Sequence, residues 1–173
     1  MLFVGQHSVL VDLKGRLLFP MEVRRELSKD LNKCTMYLTL GANRVPWLFA
    51  EDTFLRLVAK LPSLLIPIPE VSDYDRSFAF TERIEIDSQG RAILPMENLV
   101  WFESNTEKEF YLIGCRDHIE MYSAKKWNEQ RTKVAISHLP SAEAAREAYK
   151  KAALLDVSEK SAPAIPDLQT TAV

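Results

Sequence analysis

Two arginines each stand directly after a glycine and four positions after an aspartate: Arg16 follows Asp12 and Gly15, and Arg91 follows Asp87 and Gly90. A guanidinium is a planar fork of N–H donors. From an exposed turn it can grip a phosphate, or the O6 and N7 edge of guanine, through two parallel hydrogen bonds. The same spacing also allows an ion pair inside each turn, Asp12 with Arg16 and Asp87 with Arg91, that only stiffens it. The two uses are compatible if the carboxylate orients the guanidinium. Lys14 and Gln89 occupy neighbouring turn positions, where Lys14 suits a phosphate and Gln89 a phosphate or an adenine edge. Exposed turn residues are more often simply solvated, and that reading stands beside the other. Arg24 and Arg25 further along are candidate backbone contacts, and a solvated helix face accounts equally well for at least one of them.

Other chemistry finds little support. A hydrolytic reading would pair Asp12 with Asp87, with His7 nearby, but acid and base work needs two groups whose surroundings push their pKa values apart. Here each aspartate has a cation four residues on that holds it ionised. His7, His118 and His138 lack a metal-ligand spacing, and each reads as an ordinary surface or core histidine. There is no nucleophile elbow, phosphate loop or dinucleotide fingerprint. The expectation is a protein that is not an enzyme and has no metal, cofactor or small-molecule substrate.

The elements that hold the two arginines come from a repeat. The stretch DLKGRLLFPME, residues 12–22, returns 75 positions later as DSQGRAILPME, residues 87–97, identical at Asp, Gly, Arg, Pro, Met and Glu. A chain carrying one such unit twice is built from two copies of one supersecondary element. Asp12 and Asp87 orient the turns, while Gly15 and Gly90 supply the positive φ that a tight turn requires. Arg-Leu-Leu-Phe and Arg-Ala-Ile-Leu are short strands. Pro20 and Pro95 then fix φ for the first position of a helix. Each copy thus reads strand, turn, strand, helix.

The doubled D-x-x-G-R, followed after three residues by Pro, resembles the MraZ family of bacterial transcriptional regulators. Phe3-Val4-Gly5, His7-Ser8, Arg24-Arg25-Glu26-Leu27 and the run Ile119 to Ser123 before Trp127 extend the likeness from about Met1 to about Trp127. The resemblance implies an α+β fold of two tandem AbrB-like swapped-hairpin halves forming an internal pseudo-dimer. It also implies that Arg16 and Arg91 contact double-stranded DNA at repeated promoter boxes of a division and cell-wall gene cluster, and that the subunits form a ring-shaped homo-oligomer. The proline-bearing joint departs from the family's more helical linker.

The chain of 173 residues is 47% apolar, enough for a real core, and no run approaches the roughly 18 apolar residues of a membrane span. No export signal is evident at the start, so the expected location is the cytoplasm, associated with the nucleoid. Cys34 and Cys115 form no C-x-x-C framework and read as small buried hydrophobes. The formal net charge is −2, whereas proteins that bind DNA by phosphate neutralisation usually show a basic face. From Pro62 to Gly90 two arginines face six carboxylates, so this segment is not expected on nucleic acid. An alternative of another class follows from that acidity: an oligomeric scaffold or partner-binding module that keeps the fold without DNA recognition.

In chain order, residues 1–61 form the first repeat. A helix is expected over Pro20 to Leu31, and strands over Cys34 to Leu40 and Val45 to Phe49, the latter at an edge because of Pro46. A second helix, Glu51 to Leu61, places Phe54, Leu57, Val58 and Leu61 in a core or interface stripe. Residues 62–75 are an extended connector in which Pro62, Pro67 and Pro69 exclude a regular helix. Residues 76–138 repeat the order, with Ile84 and Ile86 matching Val9 and Val11, and with Ser123 as N-cap of a helix carrying Trp127. A C-terminal helix over 139–156 and a disordered tail over 157–173 complete the expectation.

Overall fold

A computed structural model describes residues 2–27, 34–41, 44–61, 75–95, 108–137 and 143–151. The chain divides into two compact units, Met1–Gln130 and Arg131–Val173. The first unit contains strands β1 (Gln6–Leu10), β2 (Arg16–Leu18), β3 (Cys34–Leu40), β4 (Pro46–Ala50), β5 (Glu82–Ile86), β6 (Arg91–Ile93), β7 (Glu109–Gly114) and β8 (Ile119–Ser123). Helices α1 (Met21–Leu27) and α2 (Glu51–Val58) belong to the first repeat, and α3 (Ala124–Ser137) follows β8. In the second unit, residues 143–151 are helical.

Period-two burial explains the sheet. Val9 and Val11, like Ile84 and Ile86, turn inward with polar or exposed neighbours between them, as expected of strands with one covered face. Six strands pair antiparallel in the order β1-β7-β8-β4-β3-β5. The β7–β8 hairpin of the second repeat takes β1 of the first, with Val9 opposite Phe110. The β3–β4 hairpin takes β5 of the second, with Ile84 opposite Met36. Each repeat therefore lends its opening strand to the other, and the fold is α+β with two swapped-hairpin halves.

The strand after each turn also leaves its own repeat. β2 touches the end of β1 through a single bridge, Val11 to Leu17, and pairs instead with β6 in a separate two-stranded ribbon. Two further backbone bonds, both 2.8 Å, extend that ribbon: Phe19 N–H donates to the Gly90 carbonyl, and Leu94 N–H to the Gly15 carbonyl. Leu17 and Ala92 face inward from the ribbon and join Phe19, Met36, Leu48, Leu94, Leu112 and Met121 in one continuous core. Fully burying a side chain of this size contributes about 1.5 to 3 kcal/mol, so the ribbon is held by its inner face more than by its few hydrogen bonds.

Several expectations need correction. Pro46 does not mark an edge: β4 lies between β3 and β8. The proline is tolerated because it is the first residue of the strand and because β8 pairs only with Trp47 and Leu48, leaving its missing N–H outside that ladder. The apolar stripe of α2 is only partly covered: Phe54 stacks on Tyr37 with ring centroids 4.4 Å apart, and Phe54 and Val58 are half-buried. The helix's buried residue is Thr53, while Leu57 and Leu61 remain substantially exposed. The helix expected from Pro20 is described only to Leu27. The helix expected near Met96, most of the 62–75 connector and the tail from 157 lie outside the described residues. Ser123 does cap α3, its Oγ accepting the Lys126 N–H at 3.3 Å.

Candidate nucleic-acid interface

The two turns are nearly superimposable in their bonding. Asp12 Oδ1 accepts the backbone N–H groups of Lys14 at 2.8 Å and Arg16 at 2.9 Å, and its Oδ2 accepts Arg16 Nε at 2.7 Å. Asp87 does the same with Gln89 and Arg91, both at 2.9 Å, and with Arg91 Nε at 3.0 Å. Each loop is closed by the glycine N–H donating to the aspartate carbonyl, with φ of 75° at Gly15 and 83° at Gly90. A side chain at either glycine would pay the left-handed penalty, which explains the residue type.

These contacts join the two readings of Asp and Arg. The ion pairs exist, yet the Arg16 and Arg91 side chains remain 60% and 59% exposed. Among the described residues, the aspartate of its own turn is the only partner of either guanidinium, and it engages Nε. The bond at Nε leaves the terminal nitrogens without a partner among the described residues. The backbone N–H of the arginine is the foremost cause, joined by the guanidinium itself, of a carboxyl held below its ordinary range in both Asp12 and Asp87. Both aspartates are therefore ionised at neutral pH, and the orienting bond persists.

The ribbon brings the two turns together. Arg16 stands opposite Ile93, and Leu18 opposite Arg91, so the arginines are diagonal neighbours on one outer face. Such neighbours lie roughly 7 to 8 Å apart. Leu18 and Ile93 share the exposed face, and Leu10 lies beside it. Lys14 and Gln89 are exposed in the loops, and Arg25 is exposed on α1. Arg24 is half-buried and has another task. It lies across Gly90, where a Cβ would collide with its side chain, and its Nη1 donates to the Gln89 carbonyl at 3.2 Å. The first repeat's helix thus braces the second repeat's turn, a contact 65 positions apart that the sequence does not announce.

The acidic run also reaches this face. Arg83 and Glu85 line the same open groove as Arg16 and Arg91, and they neutralise one another at 2.7 Å. Arg16 and Arg91 are likewise paired, with Asp12 and Asp87, so what the face offers is exposed guanidinium donors rather than a large net positive charge.

A second cluster lies in the turn between β7 and β8. Cys115, His118 and Glu120 place their ligand-type atoms within 4.8 Å of one another, the only such group among the described residues. In the sequence alone Cys115 and His118 read as a small buried hydrophobe and an ordinary histidine. Cys115 is half-buried and Cys34 fully buried, and both thiols are free. Burial, reinforced by Glu120, pushes the Cys115 thiol up to about 11. Burial opposes charge on His118 as well, but the Glu120 and Asp117 carboxylates outweigh it and raise its pKa. The signal available in the sequence was Cys-x-x-His-x-Glu spanning a hairpin turn.

Comparison with known proteins agrees with this architecture. Residues 78–151 match the family described as "MraZ protein, putative antitoxin-like". The chain is 31% identical over 129 residues to a protein of Arthrobacter sp. (strain FB24) named transcriptional regulator MraZ, covering 74% of this chain and 86% of that one. It is 30% identical over 129 residues to the protein of the same name from Clostridium tetani, with 74% and 86% covered. For that from Acetivibrio thermocellus, identity is 31% over 127 residues, with 73% and 84% covered. With the duplicated turn and the swapped hairpins in place, likeness of this extent makes the chain a member of the MraZ family.

Proposed function

We propose that this protein is a sequence-specific, DNA-binding transcriptional regulator, a repressor acting on repeated boxes in the promoter of the division and cell-wall gene cluster, its own gene included. The observation that carries the proposal is the pair of outward guanidiniums, Arg16 and Arg91, fixed by Asp12 and Asp87 on one face of the ribbon. Both guanidiniums stand on one face of the ribbon, at diagonal positions of its two strands, so one ribbon presents two arginines to the same stretch of DNA. The names of the relatives support a role in transcription. Lys14 and Gln89 contact phosphates or bases at the rim, Arg25 contacts backbone, and Arg24 acts by holding the second turn. The protein works in the cytoplasm at the nucleoid.

One ribbon carries little positive charge. A ring of identical subunits compensates by placing many ribbons on repeated boxes, and linkage of this kind raises affinity by about 100-fold or more without new contacts. Binding of Arg16→Ala, Arg91→Ala and the double variant to the DNA preceding the protein's own gene tests the proposal. Each single change is expected to weaken binding by roughly 5- to 150-fold, corresponding to about 1 to 3 kcal/mol per bidentate contact. Unchanged affinity in the double variant, at fixed salt, would rule the reading out. The scaffold alternative draws on the Arg83–Glu85 neutralisation, and it requires assembly that persists with no salt-dependent DNA binding.

A further inference from the structure

We propose that the β7–β8 turn is a binding site for a zinc-class divalent metal ion, with Cys115 Sγ, His118 Nε2 and Glu120 Oε1 as its protein ligands. This site is independent of the arginine ribbon. It lies at the other end of β7, since the register puts Ile113 beside Gln6 and Glu109 beside Leu10 on the way to the Asp12 turn.

Donor type is the first support. A thiol, an imidazole and one carboxylate form a borderline-soft set that suits zinc and its neighbours rather than magnesium or calcium. Geometry is the second. Tetrahedral zinc holds its ligand atoms roughly 3.5 Å apart. His118 Nε2 and Glu120 Oε1 already stand at 3.8 Å, and all three donor atoms fall within 4.8 Å, a gap that side-chain rotation closes.

The surroundings are the third support. His118 Nδ1 is 2.8 Å from Asp117 Oδ1, which fixes the proton there and aims the lone pair of Nε2 at the cluster. That Nε2 is buried and has no hydrogen-bond partner among the described residues. Metal-bound histidines characteristically donate their other N–H to a carboxylate in this way. Tyr122 OH donates to Glu120 Oε2 at 2.9 Å, leaving Oε1 for the metal. The rings of Trp47 and Phe49 lie 4.6 and 5.2 Å from that of His118 and give the site an apolar wall.

The other repeat supplies an internal control. Both hairpins close by a backbone bond, Gly41 N–H to the Val45 carbonyl four residues on and Cys115 N–H to the His118 carbonyl three residues on. Trp47 lies opposite Glu120 in the sheet and holds the matching position two residues on. Where one hairpin carries Gly41, Val45 and Trp47, the other carries three ligand-type residues around a turn one residue shorter, so pairing of the two strands does not by itself demand them. Zinc binding displaces the Cys115 proton to solvent, and three protein ligands leave the fourth position to water.

The test is titration of the reduced, full-length, metal-free protein with Co2+ under inert gas. One equivalent per chain is expected to develop thiolate-to-cobalt charge-transfer absorption that Zn2+ abolishes by displacement. Cys34→Ser keeps the band and Cys115→Ser loses it. Asp117→Asn, which leaves all three ligands, weakens Co2+ binding by roughly 10- to 100-fold. No charge-transfer band in the wild-type protein would overturn the proposal, as would a band that survives Cys115→Ser or disappears with Cys34→Ser.

Discussion

Replacing Gly90 with alanine probes how the two repeats support one another. The residue has a φ of 83°, and the volume a Cβ would occupy is filled by the Arg24 side chain. Left-handed backbone costs an L-residue about 1 to 2 kcal/mol. Displacing Arg24 forfeits its hydrogen bond to the Gln89 carbonyl, about 1 kcal/mol for an interaction this open to solvent. Gly90→Ala should therefore destabilise by about 2 to 3 kcal/mol, and Arg24→Ala by about 1. In the double variant the collision no longer exists, so the alanine adds only its backbone strain. The total is expected to stay near that of Gly90→Ala, about 1 kcal/mol short of the sum of the singles. Urea midpoints of the four proteins, taken at one protein concentration with m checked for constancy, measure the cycle. Strict additivity would refute the claim that Arg24 braces the second turn.

Acid sensitivity is expected to follow from Asp12 and Asp87. Their folded pKa values are depressed, so their stabilising contribution is complete above the ordinary carboxylate value of 3.8 and is lost as pH falls through the lower folded values. Asp12→Asn with Asp87→Asn should flatten that acid limb in a pH series of unfolding midpoints. Ser123→Ala should cost about 1 kcal/mol through loss of the α3 cap, read by the same midpoints, and Ser123→Thr should restore most of it.

Much of this was legible in the chain because the relevant signals are local. Asp, two variable residues, Gly and Arg specify the turn through backbone bonding alone, and Gly15, Gly90, Val9, Val11, Ile84 and Ile86 behave as their types and alternation require. The unread features depend on pairing between distant residues. No local pattern reveals that Arg16 and Arg91 share one ribbon, that Arg24 crosses to Gly90, or that β4 is interior despite Pro46. The α2 stripe was legible as a face but not in its degree of burial, because helical spacing states which residues share a face and not how far each is covered: Phe54 stacks on Tyr37 while Leu57 and Leu61 stay exposed. The grouping of Cys115, His118 and Glu120 is not evident residue by residue, because it depends on the hairpin turn that gathers them.

The exchange of opening strands also sets a timetable for the newborn polypeptide. Val9 waits for Phe110 before it can be covered, so β1 leaves the ribosome long before its mate exists. Until β5 and β6 emerge, the first repeat has nothing along the β3 edge and no strand to pair with β2, and β1 waits longer still, for β7. Contacts this distant along the chain slow folding and leave unpaired edges on the growing product. A frameshift late in the gene would therefore forfeit both halves of the molecule.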